Sequence, residues 1–178
     1  MLHDNKKKTV YYKNAVIKVY DIPILYLPRL SHPDPSVERR SGFLPPSISD
    51  TKNLGESISI PYFFDIAKNK NLTLTNRLFV SENPLFIGEY HQAFKNSYLM
   101  ADFGYTEGYK KTSSSKKKGE KSHFFTKFSK NFVGKNNSEN SLSITLQDTS
   151  NDKYLKLYKI ESNLVDYNNE ILENSINF

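Results

Sequence analysis

The chain has 178 residues, enough for one domain or for parts of two, of which 37% are hydrophobic and 13% aromatic, with 12 Tyr and 12 Phe. It carries a net charge of +6 and no cysteine, which excludes a disulfide framework, Cys-ligated zinc and a thiol nucleophile. No stretch approaches the ~18 apolar residues of a membrane helix, and a composition poor in aliphatics but rich in rings favours strands, so an all-β chain is expected.

Met1 to Lys8 are polar and no apolar segment follows them, so an export signal is missing. If such a chain works in an outer membrane, it is expected to be a truncated piece that has lost its export signal. In Ala15-Val16-Ile17-Lys18-Val19-Tyr20, Ala15, Ile17 and Val19 share one strand face and Lys18 lies on the other. The run from Ile22 to Pro28 is apolar on both faces but holds Pro23 and Pro28, which cannot donate to a ladder. It is therefore expected at a sheet edge or end. Ser31-His32-Pro33-Asp34-Pro35-Ser36 then breaks the pattern, and residues 29–41 read as a hinge, with His32, Pro33 and Pro35 in turn roles.

Beyond the hinge the alternation becomes strict. From 54 to 66, Leu54, Ile58, Ile60, Tyr62, Phe64 and Ile66 fall on one face, interrupted by Glu56. Gly55, Ser57, Ser59, Pro61 and Asp65 fall on the other, interrupted by Phe63. After a turn at Lys68-Asn69-Lys70, Leu72, Leu74, Leu78 and Val80 oppose Thr73, Thr75 and Arg77. Phe86, Tyr90 and Phe94 oppose Glu89 and His91, and Leu99, Ala101, Phe103 and Tyr105 oppose Asp102 and Gly104. Weaker alternation runs over 122–133 (Phe124, Phe128, Phe132), 141–147 (Leu142, Ile144, Leu146) and 153–160.

Segments of about ten alternating residues joined by turns are the pattern of a transmembrane β-barrel, whose outer face meets hydrocarbon. A soluble sandwich alternates too, with its apolar face turned inward, and periodicity does not separate the two. Glu56, Gln92 and Lys130 on apolar faces suit a barrel only near the membrane interfaces. Short connections at 67–70, 81–84 and 95–97 contrast with the long Lys/Ser-rich stretch 107–121. With a first barrel strand near 42–50 leaving the periplasm, the strand at 98–106 runs outward and that long loop emerges at the cell surface.

Chemistry finds little foothold. His3, His32, His91 and His123 show no metal-ligand spacing, no Ser/His/Asp set is identifiable, and phosphate-cradling glycine loops are absent. No enzyme activity, metal or cofactor is expected. The lysine clusters Lys6–Lys8 and Lys116–Lys118 fit solvated loops better than a nucleic-acid groove, although basic residues also suit lipid phosphates.

Four runs are more specific than periodicity: Ile22-Pro23-Ile24-Leu25-Tyr26-Leu27-Pro28, Ser31-His32-Pro33-Asp34-Pro35, Arg39-Arg40-Ser41-Gly42-Phe43-Leu44 and Ile60-Pro61-Tyr62-Phe63-Phe64. In order and spacing they resemble the LPS-assembly outer-membrane protein family LptD, where such segments join a periplasmic domain to the first barrel strands. The resemblance continues through Ile66-Ala67, Asn69, Leu72-Thr73-Leu74-Thr75 and Gly88-Glu89-Tyr90, and thins beyond about residue 110. Lys68, Asn76, Asn71 and His91 depart from residues common in that family, and disulfide-linked maturation is excluded within this stretch.

The resemblance implies an antiparallel meander of outer-membrane β-barrel strands, an incomplete barrel, preceded by the last strands of a β-jelly roll. Residues 1–28 would end the periplasmic jelly roll, 29–41 would be the hinge, and 42–178 would be the N-terminal barrel strands. It implies a non-enzymatic part of a translocon in the outer membrane of a Gram-negative bacterium, with its N-terminal part in the periplasm. Its partners would be lipopolysaccharide, outer-membrane lipid, the plug lipoprotein LptE and the bridge protein LptA, and not nucleic acid. In that family a proline in each of the first two barrel strands weakens a lateral gate; the matching positions are Pro46 and Pro61, with Pro45 beside the first. Ile17, Val19, Ile24 and Tyr26 could meet acyl chains in the jelly-roll interior, or could simply pack. Two other readings of the same features are a generic outer-membrane porin or receptor, and a soluble basic β-domain binding nucleic acid.

Overall fold

The computed structural model describes residues 2–4, 8–19, 21–33, 39–113, 116–134 and 138–178. Among them, β1 (Leu2–Asp4), β2 (Thr9–Val19) and β3 (Ile22–Pro33) form a three-stranded antiparallel sheet in the order β1-β2-β3. β3 holds Pro23, Pro28 and Pro33 and lies at the edge of this sheet, where a missing N–H costs no ladder bond on the open side.

One local expectation is corrected here. Ser31, His32 and Pro33 are not the start of a loop but the end of β3, lying opposite Tyr11, Val10 and Thr9. Pro33 is tolerated because it is the last residue of the strand, where no further ladder bond is required. Pro35 lies outside the described residues.

The second sheet has nine strands, all antiparallel to their neighbours, in the order β12-β11-β10-β9-β8-β7-β6-β4, with β5 also paired to β6. Its strands are β4 (Gly42–Phe43), β5 (Ser47–Thr51), β6 (Gly55–Ala67), β7 (Lys70–Phe79), β8 (Leu85–Ala93), β9 (Ser97–Gly108), β10 (Lys118–Val133), β11 (Glu139–Thr149) and β12 (Ser175–Asn177). Sequential order equals spatial order from β6 to β12, so this is a meander with an open edge on either side. Among the described residues the fold is all-β apart from one short helix, α1 (Tyr154–Tyr158).

That helix is the second correction, because residues 153–160 read as weak strand alternation. Tyr154, Leu155 and Tyr158 are its buried residues, spaced i, i+1 and i+4 on one helical face. A third correction is Leu54, which belongs to the turn before β6 and is buried in the core rather than aligned with Ile58 and Ile60. Gly55, at φ +72°, turns the chain at that point into a conformation that side-chain-bearing residues disfavour.

The register sorts the alternation into two faces. On one lie Ile58, Tyr62, Phe64, Leu74, Leu78, Phe86, Phe103, Phe124 and Leu146, and large apolar groups here stay open: Leu78 is 43% exposed and Phe124 50%. On the other lie Ser59, Arg77, Leu85, Ile87, Glu89, Asp102, Gly104, His123, Phe125 and Gln147. This more polar face is the covered one. Residues 151–172 fold back over it, and Tyr154, Leu155, Tyr158, Ile160 and Val165 form one core cluster with Leu54, Leu85 and Phe125. Burial of side chains of this size stabilises by about 1.5–3 kcal/mol each, so the returning segment is held mainly by these rings.

Two glycines make the packing possible. Gly104 faces the covered side, where a Cβ would come within 2.5 Å of the His123 ring and 3.0 Å of the Tyr154 hydroxyl. Gly88 lies on the apolar face opposite Phe103, whose ring covers it so closely that a Cβ would meet it at 2.2 Å. An aromatic ring laid across a strand glycine shields backbone that would otherwise be bare.

Candidate functional site

The family-like prolines come together in one place. Pro45 and Pro46 fill the gap between β4 and β5, which both pair with β6, so what read as a single first strand over 42–50 is broken in two. Across the gap the register slips: Phe43 lies opposite Tyr62 but Ser47 opposite Ser59, four steps on one side against three on the other. Facing the gap is Pro61, in the interior of β6. Its carbonyl accepts from the Leu44 N–H at 3.0 Å. A normal antiparallel pair exchanges two such bonds, but the Pro61 nitrogen has no hydrogen to return. Pro61 thus leaves one donor missing from this interface, at the point where Pro45 and Pro46 interrupt the facing strand. On its other side Pro61 sits opposite Thr75, within a β6–β7 ladder that keeps register from Ser57 to Asp65 and shifts only next to the turn.

The Arg39–Phe43 run anchors the lower end of this seam. The Arg39 guanidinium donates to the carbonyls of Lys68 (2.7 Å) and Lys70 (3.2 Å), pairs with Asp65 at 3.2 Å, and lies 5.9 Å from the centre of the Phe63 ring. One side chain therefore clasps the β6–β7 hairpin turn and covers the ring that interrupts the polar face. Ser41 Oγ accepts from the Asp65 N–H at 2.8 Å. Arg40 reaches the other sheet and donates to Thr9 Oγ1. Gly42 and Phe43 form β4, and the Phe43 ring meets Tyr62 edge-on at 4.9 Å.

The remaining sequence-derived candidates are not gathered here. His32 lies in β3, as does Pro33. Ile17 and Val19 lie in β2 and Ile24 in β3, with side chains outside the description. Tyr26 is exposed, and its hydroxyl donates to Asn14 Oδ1 at 2.7 Å.

Sequence reasoning did not find the covered face as a site. Arg77 donates to the Tyr158 carbonyl at 2.5 Å and to Ser59 Oγ at 3.1 Å, tying the end of α1 to β6 and β7. Gln147 binds the returning chain from the far side, donating to the Leu164 carbonyl (3.2 Å) and accepting from the Glu173 N–H (2.7 Å). His123 Nδ1 meets the Tyr154 hydroxyl at 3.1 Å, and His91 bridges Glu89 and Tyr98. Burial pushes both helix tyrosines upward, the Tyr158 hydroxyl to about 12, so they remain neutral. The i, i+4 spacing of Tyr154 and Tyr158 is the signal that could have marked α1.

At the end of the sheet opposite Arg39, Glu82 gathers three turns. Its carboxylate accepts from the Lys110 N–H (2.8 Å) and from Lys116 Nζ (2.8 Å), and Lys116 also donates to the Asn53 carbonyl at 3.0 Å. Burial acts to raise this carboxyl, but the bonds and charges of Lys116 and Lys110 outweigh it and hold it below the ordinary carboxylate range.

An open antiparallel meander with a bare apolar face and a polar face covered by its own chain has the two-sidedness of an incomplete barrel wall. Glu56, Gln92 and Lys130 on the apolar face lie near the ends of their strands, as does Asp148, while the uncharged Asn76 and Thr126 stand farther in. Comparison with known proteins agrees. The chain is 36% identical over 107 residues to the LPS-assembly protein LptD of Francisella tularensis subsp. novicida, covering 56% of this chain and 12% of that protein. It is 41% identical over 75 residues to LptD of Nitrosomonas eutropha (42% of this chain, 10% of that protein) and 37% over 84 residues to LptD of Pseudomonas putida (47% and 9%). About half of the chain is thus similar to LptD, and the chain spans about a tenth of the length of these relatives. No protein-family model matches it.

Proposed function

We propose that this chain is a piece of an LptD, comprising the end of the periplasmic domain and the first strands of the outer-membrane barrel. In this reading the parent receives lipopolysaccharide from the periplasmic bridge protein LptA. It inserts the lipid into the outer leaflet through a lateral gate between its first strands and the strands that close the barrel, with LptE as the plug. The observation that supports a membrane wall is the inversion of the two faces: large apolar side chains lie bare while polar ones are covered. A soluble domain would bury the apolar face instead.

The gate reading rests on the proline cluster. A barrel wall resists opening because each ladder bond must be broken in a medium that offers no replacement. Where ladder bonds are already missing, that cost falls; Pro61 has no donor to give, and Pro45 and Pro46 fill the break that it faces. The porin alternative leaves this cluster without a role. A nucleic-acid reader would need a basic stacking surface, whereas the exposed rings here lie among aliphatic side chains on one sheet face.

The test is made in the full-length parent. Pro61→Val restores a donor on a residue that favours strands, and Pro46→Ser removes the break beside it. Both variants should fold and reach the membrane, yet deliver several-fold less labelled lipopolysaccharide to the cell surface. Delivery at the wild-type rate by both variants would reject the gate.

A further inference from the structure

The end of the sheet opposite Arg39 holds a basic cavity that the seam does not use. It is open, has a volume of about 870 Å3, and lies between the β9–β10 loop and α1. Tyr109, Lys116, Lys117, Lys121, Lys153 and Lys156 line it, together with the carboxylates of Asp152 and Glu170. Five ammonium groups therefore share one concavity with two carboxylates.

Their partners are unevenly distributed. Lys116 is engaged by Glu82 and the Asn53 carbonyl, and Lys156 pairs with Glu170 at 3.3 Å. Lys121 reaches only the Gly119 carbonyl at 3.5 Å and lies 6.0 Å from the centre of the Tyr109 ring. Lys117 and Lys153 are exposed and have no side-chain partner among the described residues. Like charges gathered in a concave wall raise the local potential, and they repel one another until an anion enters. Lys116 and Lys117 come from the β9–β10 loop, which Glu82 holds at Lys110 and Lys116, whereas Lys121 comes from β10 and Lys153 and Lys156 from the N-cap and body of α1.

We infer that this cavity binds a phosphate-bearing anion, with Lys117 and Lys153 as its principal contacts and Lys121 as a third. Ammonium groups are strongly hydrated point charges that serve phosphate oxygens without the planar geometry a guanidinium demands. The volume exceeds a single phosphate, and Tyr109 and Leu157 add apolar wall, which suits a phosphorylated sugar headgroup. Its source as the headgroup of lipopolysaccharide rests on the function proposed above; a free polyphosphate offers the same chemistry. In that reading the long basic loop faces outward, so the cavity would hold the headgroup as the lipid leaves the seam.

The experiment uses the full-length parent in detergent, with pyrophosphate, phosphorylated lipopolysaccharide and dephosphorylated lipopolysaccharide as probes, at low and high salt. Lys117→Gln and Lys153→Gln should each weaken the two phosphorylated probes by about threefold, and the double variant by about tenfold, as expected for exposed ion pairs. High salt should reduce the difference, the Lys→Arg variants should retain binding, and the dephosphorylated lipid should not respond. A double Gln variant that binds both phosphorylated probes as wild type does would overturn the site, even with lipid delivery intact. Stronger competition by an oligonucleotide than by lipopolysaccharide would overturn the headgroup assignment. If lipopolysaccharide cross-links nowhere on the parent but pyrophosphate binding is lost in the double variant, the anion site stands and the proposed function falls.

Discussion

The seam beside β6 and the ladder between β10 and β11 belong to one sheet and follow one alternation, yet they are held together differently. β10 and β11 pair without interruption from His123–Thr149 to Val133–Glu139. β6 meets its first-strand neighbours through two residues of β4 and five of β5, with a slip between them. Side-chain hydrophobicity does not cause the difference, since Phe43, Leu44 and Ile48 are as apolar as Leu142, Ile144 and Leu146. Proline does. The ladder between β10 and β11 is thus continuous and the one beside β6 interrupted, and the proposed gate reads that interruption as a line of weakness.

The cohesive part has a second support. Strands β7 to β11 are bridged from above by α1 and the chain that follows it, through the Tyr154–Tyr158–Phe125–Leu85 cluster and the Arg77 and Gln147 hydrogen bonds. The cover reaches the upper part of the seam too, where Leu54 joins the core cluster and Ser57 and Ser59 are buried, while Arg39 and Ser41 clamp its lower end.

The largest way to break this contrast is to remove the bridge. Tyr158→Ala should destabilise the fold by about 3–5 kcal/mol, the usual cost of truncating a buried aromatic, and, if the chain is part of the proposed barrel, should lower the temperature at which that barrel loses its compact gel mobility. Unchanged heat-modifiability would mean that the covered face needs no cover. A smaller effect sharpens the weak side. Pro61→Val should add about 1 kcal/mol to the first-strand boundary through one new ladder bond, read as slower amide exchange at Leu44 and Ser47 with no change in β10 or β11.

The smallest effect concerns Glu82. Its carboxyl is held below its ordinary value of 4.5, so its contribution is complete above that pH and disappears as pH falls through the lowered value. Protease nicking of the β9–β10 loop should therefore accelerate at low pH, and Glu82→Gln should nick at the acid rate already at neutral pH. A loop equally resistant in that variant would remove Glu82 as its anchor.

Much of the architecture was legible from alternation, because a strand assigns faces locally. Leu74 against Thr75 and Phe103 against Asp102 needed no distant information. What alternation did not reveal was which face would be covered, nor that Leu85, Ile87 and Phe125 would be apolar exceptions on the polar side. Their partners lie far along the chain in residues 154–165, and no local pattern points to so remote a contact. The helix was missed for a related reason: over five residues, Tyr154-Leu155-Lys156-Leu157-Tyr158 matches a strand period nearly as well as a helical one. The prolines of the seam were legible as residue types. Their meeting across a register slip became visible only with the pairing in view.

The central claim is that the bare apolar face meets hydrocarbon and the covered face meets water. It is tested most directly by nitroxide labels placed one at a time through Leu78→Cys, Phe103→Cys and Phe124→Cys on one face, and Thr75→Cys and Thr145→Cys on the other, in a cysteine-free full-length parent reconstituted in bilayers. Labels at 78, 103 and 124 should relax fast with lipid-soluble oxygen and ignore a water-soluble nickel complex, while those at 75 and 145 should do the reverse. Nickel access at 78, 103 and 124, or equal access on both faces, would contradict it.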